Sequence, residues 1–270
     1  MSVNILFIGD IVGKPGRKVI REVLRPLKER FRIDLVVANG ENASGGIGIS
    51  IKGADELLSA GIDVLTSGNH IWKKKEIVDY IQQNPDLIRP ANFPPGTPGK
   101  GFVVKETRSG RRIAVLNLLG RTFMEAVDCP FRKAIEERDR LIQESSIILV
   151  DFHAEATSEK MALGWYLDGK VSAVLGTHTH IQTADERILP QGTAYITDVG
   201  MTGPIDSVIG VKKDLAIERF LTQMPYKFEV AKRDLALEGV LLSIDPETGK
   251  ALEISRIRER LSNEGNTNGG

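Results

Sequence analysis

The chain has 270 residues, with 36 Lys plus Arg balanced by 36 Asp plus Glu, and 41% hydrophobic residues. That length suits one large α/β domain or two smaller ones, and a formal net charge of zero provides no global field toward nucleic acid or a membrane surface. A single cysteine, Cys129, excludes an internal disulfide and fits a reducing compartment.

Val3–Ile8 is a continuous apolar run and predicts a buried parallel strand. Gly9 to Gly16 predicts a loop. Arg17 to Arg30 predicts a helix, with Val19, Ile20, Val23, Leu24 and Leu27 at helical spacing and Pro26 marking a kink or an early stop. Ile33 to Ala38 is the second strand. The glycine-rich segment Gly40 to Gly48 follows, then a helix near Ile51 to Ala60 and a third strand from Ile62. This β-α-β-α-β order implies right-handed parallel crossovers. Lys73 to Gln83 predicts a further helix, on which Lys73, Lys74 and Lys75 read as a solvated face, and Pro90 to Gly101 an irregular loop. Gly101 to Thr107 and Arg112 to Leu118 flank a turn as a hairpin. A polar helix is expected from Phe131 to Gln143, then the strand Ile147 to Val150 and the apolar run Val171 to Leu175. Short strands near Arg187–Leu189, Thr193–Ile196, Lys227–Val230 and Ala236–Ile244 make the C-terminal half strand-rich. A second sheet packed on the first, with helices outside, accommodates these runs. Without a domain linker, residues 1–261 read as a single domain, and 262–270, with nothing to bury, as a disordered tail. No basic n-region and apolar h-region is read ahead of the strand at Val3, and no apolar stretch approaches the ~18 residues of a membrane span, so the cytoplasm is the expected location.

All four histidines sit where a predicted strand ends: His70, His153, His178 and His180. Two further apolar runs end in acids, at Asp10 and Glu41. Ligands of open α/β sheets bind in the crevice beyond the strand carboxyl ends, and oxygen and imidazole donors converging there suit borderline divalent metals. His178 and His180, two apart on an extended segment, are expected to point the same way.

These residues carry a resemblance. Gly68-Asn69-His70, the lone His153 and Gly176-Thr177-His178-Thr179-His180 follow, in order, the later blocks of the calcineurin-like metallophosphoesterases. Two blocks depart from that pattern: Val12 stands where the family has a histidine, and Glu41 where it has a bridging aspartate. With Gly9 to Arg17 and Asp198 to Pro204, these departures resemble the bacterial YmdB-type branch. The resemblance implies a four-layer α/β fold, a double β-sheet sandwich flanked by helices. It also implies two metal ions, the first held by Asp10, Glu41 and His180, the second by Glu41, Asn69, His153 and His178. Asn42 can replace the ligand missing at Val12. A nitrogen and oxygen shell without thiolate favours Fe or Mn, with Zn the next choice.

The implied activity is hydrolysis of 2′,3′-cyclic nucleotides to nucleoside 3′-phosphates, by a hydroxide bridging the metals with His70 as general acid. His70 directly follows Asn69, so its imidazole is expected to diverge from the ligands and stay free. Glu155 is a candidate to orient a ligand imidazole; Arg17 and Ser44 are candidates for substrate binding. Trp72 and Trp165 are expected in the core. The partner is then a small cyclic nucleotide, with neither a membrane nor duplex nucleic acid. The alternatives are a broad-specificity phosphomonoesterase or phosphodiesterase, and a regulatory protein that binds a nucleotide or an RNA-processing partner with little turnover. Whether the chain forms a homo-oligomer is left open.

Overall fold

The computed structural model describes residues 2–261; the tail expected over 262–270 lies outside the described residues. Two sheets face each other. The first contains β1 (Val3–Ile8), β2 (Asp10–Ile11), β3 (Leu35–Asn39), β4 (Val64–Thr66), β11 (Met201–Pro204), β12 (Leu235–Ile244) and β13 (Ala251–Arg260). Its order is β2-β11-β12-β1-β3-β4, with β13 also paired to β12. The second contains β5 (Phe102–Glu106), β6 (Arg112–Leu119), β7 (Ile147–His153), β8 (Ala173–Thr177), β9 (Arg187–Ile188) and β10 (Ala194–Ile196), in the order β5-β6-β7-β8-β10-β9.

Alternation along the strands builds three cores. One face of the first sheet (Ile5, Phe7, Val37, Val240) meets one face of the second (Ile113, Val115, Leu149, Leu175) in a core between the sheets. The opposite face of the first sheet is covered by α1 (Gly13–Arg30) and α2 (Ile51–Ser59), whose Ile20, Leu24 and Leu57 are fully buried. The opposite face of the second is covered by α4 (Pro130–Leu141) and α5 (Thr157–Tyr166). Strands buried on both faces read as unbroken apolar runs, which is why β1, β3, β7 and β8 stand out in the sequence. The result is the expected four-layer α/β sandwich, and no helix among the described residues is long and apolar enough to cross a membrane.

Several local expectations are corrected. Gly9–Gly16 is not a loop throughout: Asp10 and Ile11 pair with Met201 and Thr202, and α1 already begins at Gly13. Pro26 does not stop α1, which continues to Arg30. The helix expected over Lys73–Gln83 is divided into a 3₁₀ turn at Ile71–Lys73 and α3 (Ile77–Gln83). Lys227–Val230 forms no strand; Val230 contributes only an isolated bridge to Val211. Helices α5 and α6 (Lys213–Thr222) and strand β13 lie in segments where the sequence pattern predicts no element. Trp72 packs against the first-sheet core as expected, but Trp165 is half exposed beneath the Arg187 guanidinium.

Candidate metal centre

Parallel pairing of β1, β3 and β4 in one sheet, and of β6, β7 and β8 in the other, aligns their carboxyl ends along one edge. That edge is where loops can leave the sandwich while the strands hold their origins fixed. Asp10 follows β1, Glu41 and Asn42 follow β3, Asn69 and His70 follow β4, His153 ends β7, and His178 and His180 follow β8. Asp10, Glu41 and His153 are fully buried.

Glu41 stands in the middle. Its Oε1 lies 3.2 Å from His153 Nε2 and 3.1 Å from His70 Nδ1, and its Oε2 accepts the backbone N–H of His70 at 3.0 Å. His178 Nδ1 lies 3.0 Å from His153 Nε2, and one ligand atom from each of Glu41, His153 and His178 falls within a mutual 4.8 Å. His180 Nε2 faces Asp10 Oδ1 at 3.6 Å and Asn42 Nδ2 at 3.2 Å. Asn42 Oδ1 is 2.9 Å from His70 Nδ1.

The second layer sets which imidazole nitrogen points inward. Thr177 Oγ1 donates to Asp151 at 2.7 Å, so it receives the Nδ1–H of His153 at 2.9 Å and leaves Nε2 facing Glu41. The backbone carbonyl of Ile209, 3.0 Å from His180 Nδ1, likewise turns Nε2 of that ring toward Asp10. Carboxylate or carbonyl partners of this kind fix the orientation and basicity of metal-binding histidines. Close packing also shapes the edge. A side chain at Gly68 would run into the His153 ring and stand 2.5 Å from Glu41 Oε2, so only glycine fits there.

The donor set fits a cation. Asp10 Oδ1 and Asn69 Oδ1 are buried without a hydrogen-bond partner, a costly state for polar oxygens unless something electropositive meets them. Electrostatics points the same way. Burial alone would raise Asp10, but His180 outweighs it and holds the carboxyl below its usual value. Burial is likewise outweighed at Glu41, chiefly by His153, which keeps it well below the carboxylate range. Burial would lower His180, yet Asp10 draws it up to about 9; His153 is raised over its burial by Glu41. Burial and the neighbouring His153 push His178 down to about 3. Burial lifts Asp151 to about 6. Both buried acids are thus held toward their ionised form, and a cation binding to such carboxylate and imidazole donors releases protons.

Every site residue expected from the sequence reaches this edge except the two substrate candidates, which are engaged elsewhere. Arg17 Nε pairs with Glu56 at 2.8 Å and its guanidinium also donates to the Ala43 carbonyl. Ser44 Oγ meets Ser50 Oγ at 2.8 Å at the start of α2. His70 is not free either, because Nδ1 meets both Glu41 and Asn42; among the described residues its Nε2 has no hydrogen-bond partner. Nor is the His178–His180 segment extended. Strand β8 ends at Thr177, and φ is +102° at His178 and +64° at His180. One ring therefore turns to His153 and Glu155, the other to Asp10. Glu155 Oε2 lies 3.2 Å from His178 Nε2, the orienting position expected for it.

Residues the sequence did not single out hold that strained turn. Asp198 Oδ2 accepts the Thr179 N–H at 3.0 Å and its hydroxyl at 2.8 Å. Lys160, 1% exposed, bridges Asp198 Oδ2 and the Thr177 carbonyl, each at 2.8 Å. A side chain at Gly176 would collide with the Thr197 carbonyl. No sequence signal marks Lys160, because the pattern predicts no helix where α5 forms. Replacing one partner of a buried pair strands the other charge, so Lys160→Met is expected to lose about 3–5 kcal/mol of stability. Adding Asp198→Asn should recover part of it, as read from urea unfolding. An unchanged unfolding midpoint in the single variant would show that this pair does not hold the turn.

Two stacked sheets whose strand ends gather acids and imidazoles at one edge define the metallophosphoesterase class of hydrolases. Comparison narrows the assignment. Residues 6–257 match the family model of YmdB-like proteins, and the chain belongs to that family. It is 52% identical over 255 residues to the 2′,3′-cyclic-nucleotide 2′-phosphodiesterase of Bacillus subtilis, covering 94% of this chain and 96% of that protein. Among solved structures, a Mycoplasma pneumoniae protein described as a novel phosphatase superimposes with a TM-score of 0.90 at 38% identity, over 96% of this chain and 94% of the other. A Thermus thermophilus protein described as hypothetical gives 0.87 at 43% identity, over 96% and 99%. The chain is a phosphoester hydrolase with a metal site.

Proposed function

We propose that the chain hydrolyses 2′,3′-cyclic nucleotides at the 2′ bond, giving nucleoside 3′-phosphates, on two metal ions. The convergence of Glu41, His153 and His178 beside the orphaned oxygens of Asp10 and Asn69 carries the reading, and the activity named for the Bacillus subtilis relative supports the substrate. Asp10, Glu41 and His180, with Asn42 beside them, would hold one ion; Glu41, Asn69, His153 and His178 the other. Bound cations supply charge neutralisation at phosphorus and a more acidic attacking water. Fe or Mn suits this shell best, with Zn next.

The chain's own residues do the rest. Glu41 carries the negative charge common to both positions. Asp151 and Thr177 keep the His153 proton on Nδ1, and Ile209 does the same for His180. His70, 26% exposed and with Nδ1 held by Asn42 and Glu41, presents Nε2 as the proton donor to the departing 2′ oxygen. The core shared by the two sheets supports a single domain through residue 261, with the cytoplasm as its compartment.

A panel of 2′,3′-cyclic nucleotides and phosphate monoesters, with product identification and metal analysis on one preparation, tests the reading. A 3′-phosphate product from the cyclic substrates is expected. Faster monoester turnover would move the chain to the broad phosphatase alternative. The ligand assignment has its own test in crystallographic metal occupancy: His180→Ala should empty mainly the first position and His153→Ala the second. Equal loss at both positions in each variant would contradict the division.

A further inference from the structure

The loops of the metal edge continue into a groove of about 560 Å³ that the activity above leaves unassigned, lined in part by Lys14, Arg17, Ser44, Lys74, Phe228 and Lys232. Its walls grow from the loops that carry the site: Lys14 closely follows Asp10, Ser44 follows Asn42, and Lys74 follows His70. Backbone contacts tie these walls together. Gly13 N–H donates to the Asn42 carbonyl and Ser44 N–H to the Gly48 carbonyl, both at 2.9 Å. A side chain at Gly48 would stand 3.1 Å from Lys74 Cγ, and Val230 abuts both Gly13 and Gly46. The groove and the metal edge thus share the loops that follow Asp10, Asn42 and His70.

Its charge is unbalanced. Arg17 is neutralised by Glu56, and the lining acid Glu229 is paired with Lys212 at 2.5 Å. Among the described residues, no carboxylate lies within 4.0 Å of the Lys14, Lys74 or Lys232 ammonium. Phe228, 42% exposed, adds an aromatic ring at the rim, with Arg219 over it at 4.8 Å. In a chain of zero net charge, three lysines without a direct carboxylate partner in one concavity attract anions locally. Spaced cations beside an exposed aromatic ring are what a single-stranded nucleic acid requires: charge for successive phosphates and a surface for a base. A mononucleotide places its one phosphate at the metal edge and leaves these lysines unmet.

We propose that the groove holds the phosphodiester backbone upstream of the reacting end, so that the substrates include single-stranded oligoribonucleotides ending in a 2′,3′-cyclic phosphate. The proposal rests on the activity proposed above. The chemistry is the same hydrolysis: water adds to phosphorus, the bond to the 2′ oxygen breaks, that oxygen gains a proton, and the strand keeps a terminal 3′-phosphate.

The test compares metal-loaded wild-type protein with Lys14→Gln/Lys232→Gln, neither residue belonging to the proposed machinery. Turnover is measured on a 2′,3′-cyclic mononucleotide and on a short oligouridylate ending in the cyclic phosphate. Binding of the 3′-phosphorylated oligouridylate is followed by fluorescence anisotropy. Mononucleotide kinetics should be unchanged, whereas KM for the oligomer should rise about tenfold or more, and the salt slope of oligomer binding should fall by about 0.7 for each lysine removed. Equal effects on both substrates, or anisotropy indifferent to the lysines, would overturn the groove assignment. A protein that binds the oligomer through these lysines but hydrolyses no cyclic phosphate would retain the groove and lose the activity.

Discussion

Glu41→Gln is expected to purify folded but without bound metal, and to lose turnover by on the order of 10³-fold or more, since the charge stabilisation supplied by paired cations amounts to several kcal/mol. The reason lies in its position. Glu41 is fully buried, its Oε1 stands 3.2 Å from His153 Nε2, and it is the acid that both proposed ion positions share. An amide keeps the volume and can still accept the His70 N–H, so the fold should survive. It cannot supply the charge that compensates two cations in a buried setting. Metal analysis and circular dichroism on one sample check both halves of the statement. Two tightly held ions per chain in the variant would remove Glu41 from the bridging role.

The second large effect concerns His70. His70→Ala should keep both metals and much of the substrate affinity while turnover falls roughly 10²–10⁴-fold, the span for a positioned proton donor. The defect should shrink on a nitrophenyl diester, whose phenolate departs without a proton. The contacts of Nδ1 with Glu41 and Asn42 make this comparison decisive. If His70 acted only by steadying those two residues, both substrates would slow alike, or the variant would lose metal.

Strands and helices were legible from the sequence where burial dictates composition. The strands around β1, β3, β7 and β8 are apolar on both faces, and α1 and α2 carry one apolar stripe each. The elements that escaped bury something else. Helix α5 buries Lys160, Leu163 and Gly164, and α6 buries only Ala216 while Ile217, Phe220 and Leu221 face outward. Strand β13 alternates through charged residues because one neighbour, β12, supplies its pairing. Strand β2 is two residues long, too short for any periodicity.

The candidate site follows the same division. Its acids and imidazoles were visible because each ends an apolar run. The network behind them was not, because its contacts join distant segments: Asn39 to Asp151, His153 to Thr177, Lys160 to Asp198. The turn at His178 and His180 escaped for a related reason. Its positive φ angles fall on non-glycine residues, and the contact that grips Thr179 between them comes from the distant Asp198. Asp151 lies two residues before His153 on β7, and Thr177 directly before His178. Neither position announces a role until parallel pairing within the second sheet sets β7 beside β8.

Strand β12 has a consequence for how the molecule comes into being. It pairs antiparallel with β1 from Val3↔Ile244 to Ile8↔Gly239, so the strand that leads into Asp10 has the late-emerging residues 239–244 as a neighbour. During synthesis every metal-edge residue has left the ribosome while one side of β1 still lacks that partner, an unpaired edge of the kind that invites association with other chains. Pairing across such a sequence separation is also slow to form. The first sheet therefore closes only once residues 239–244 have emerged, well after His180, the last of the edge histidines.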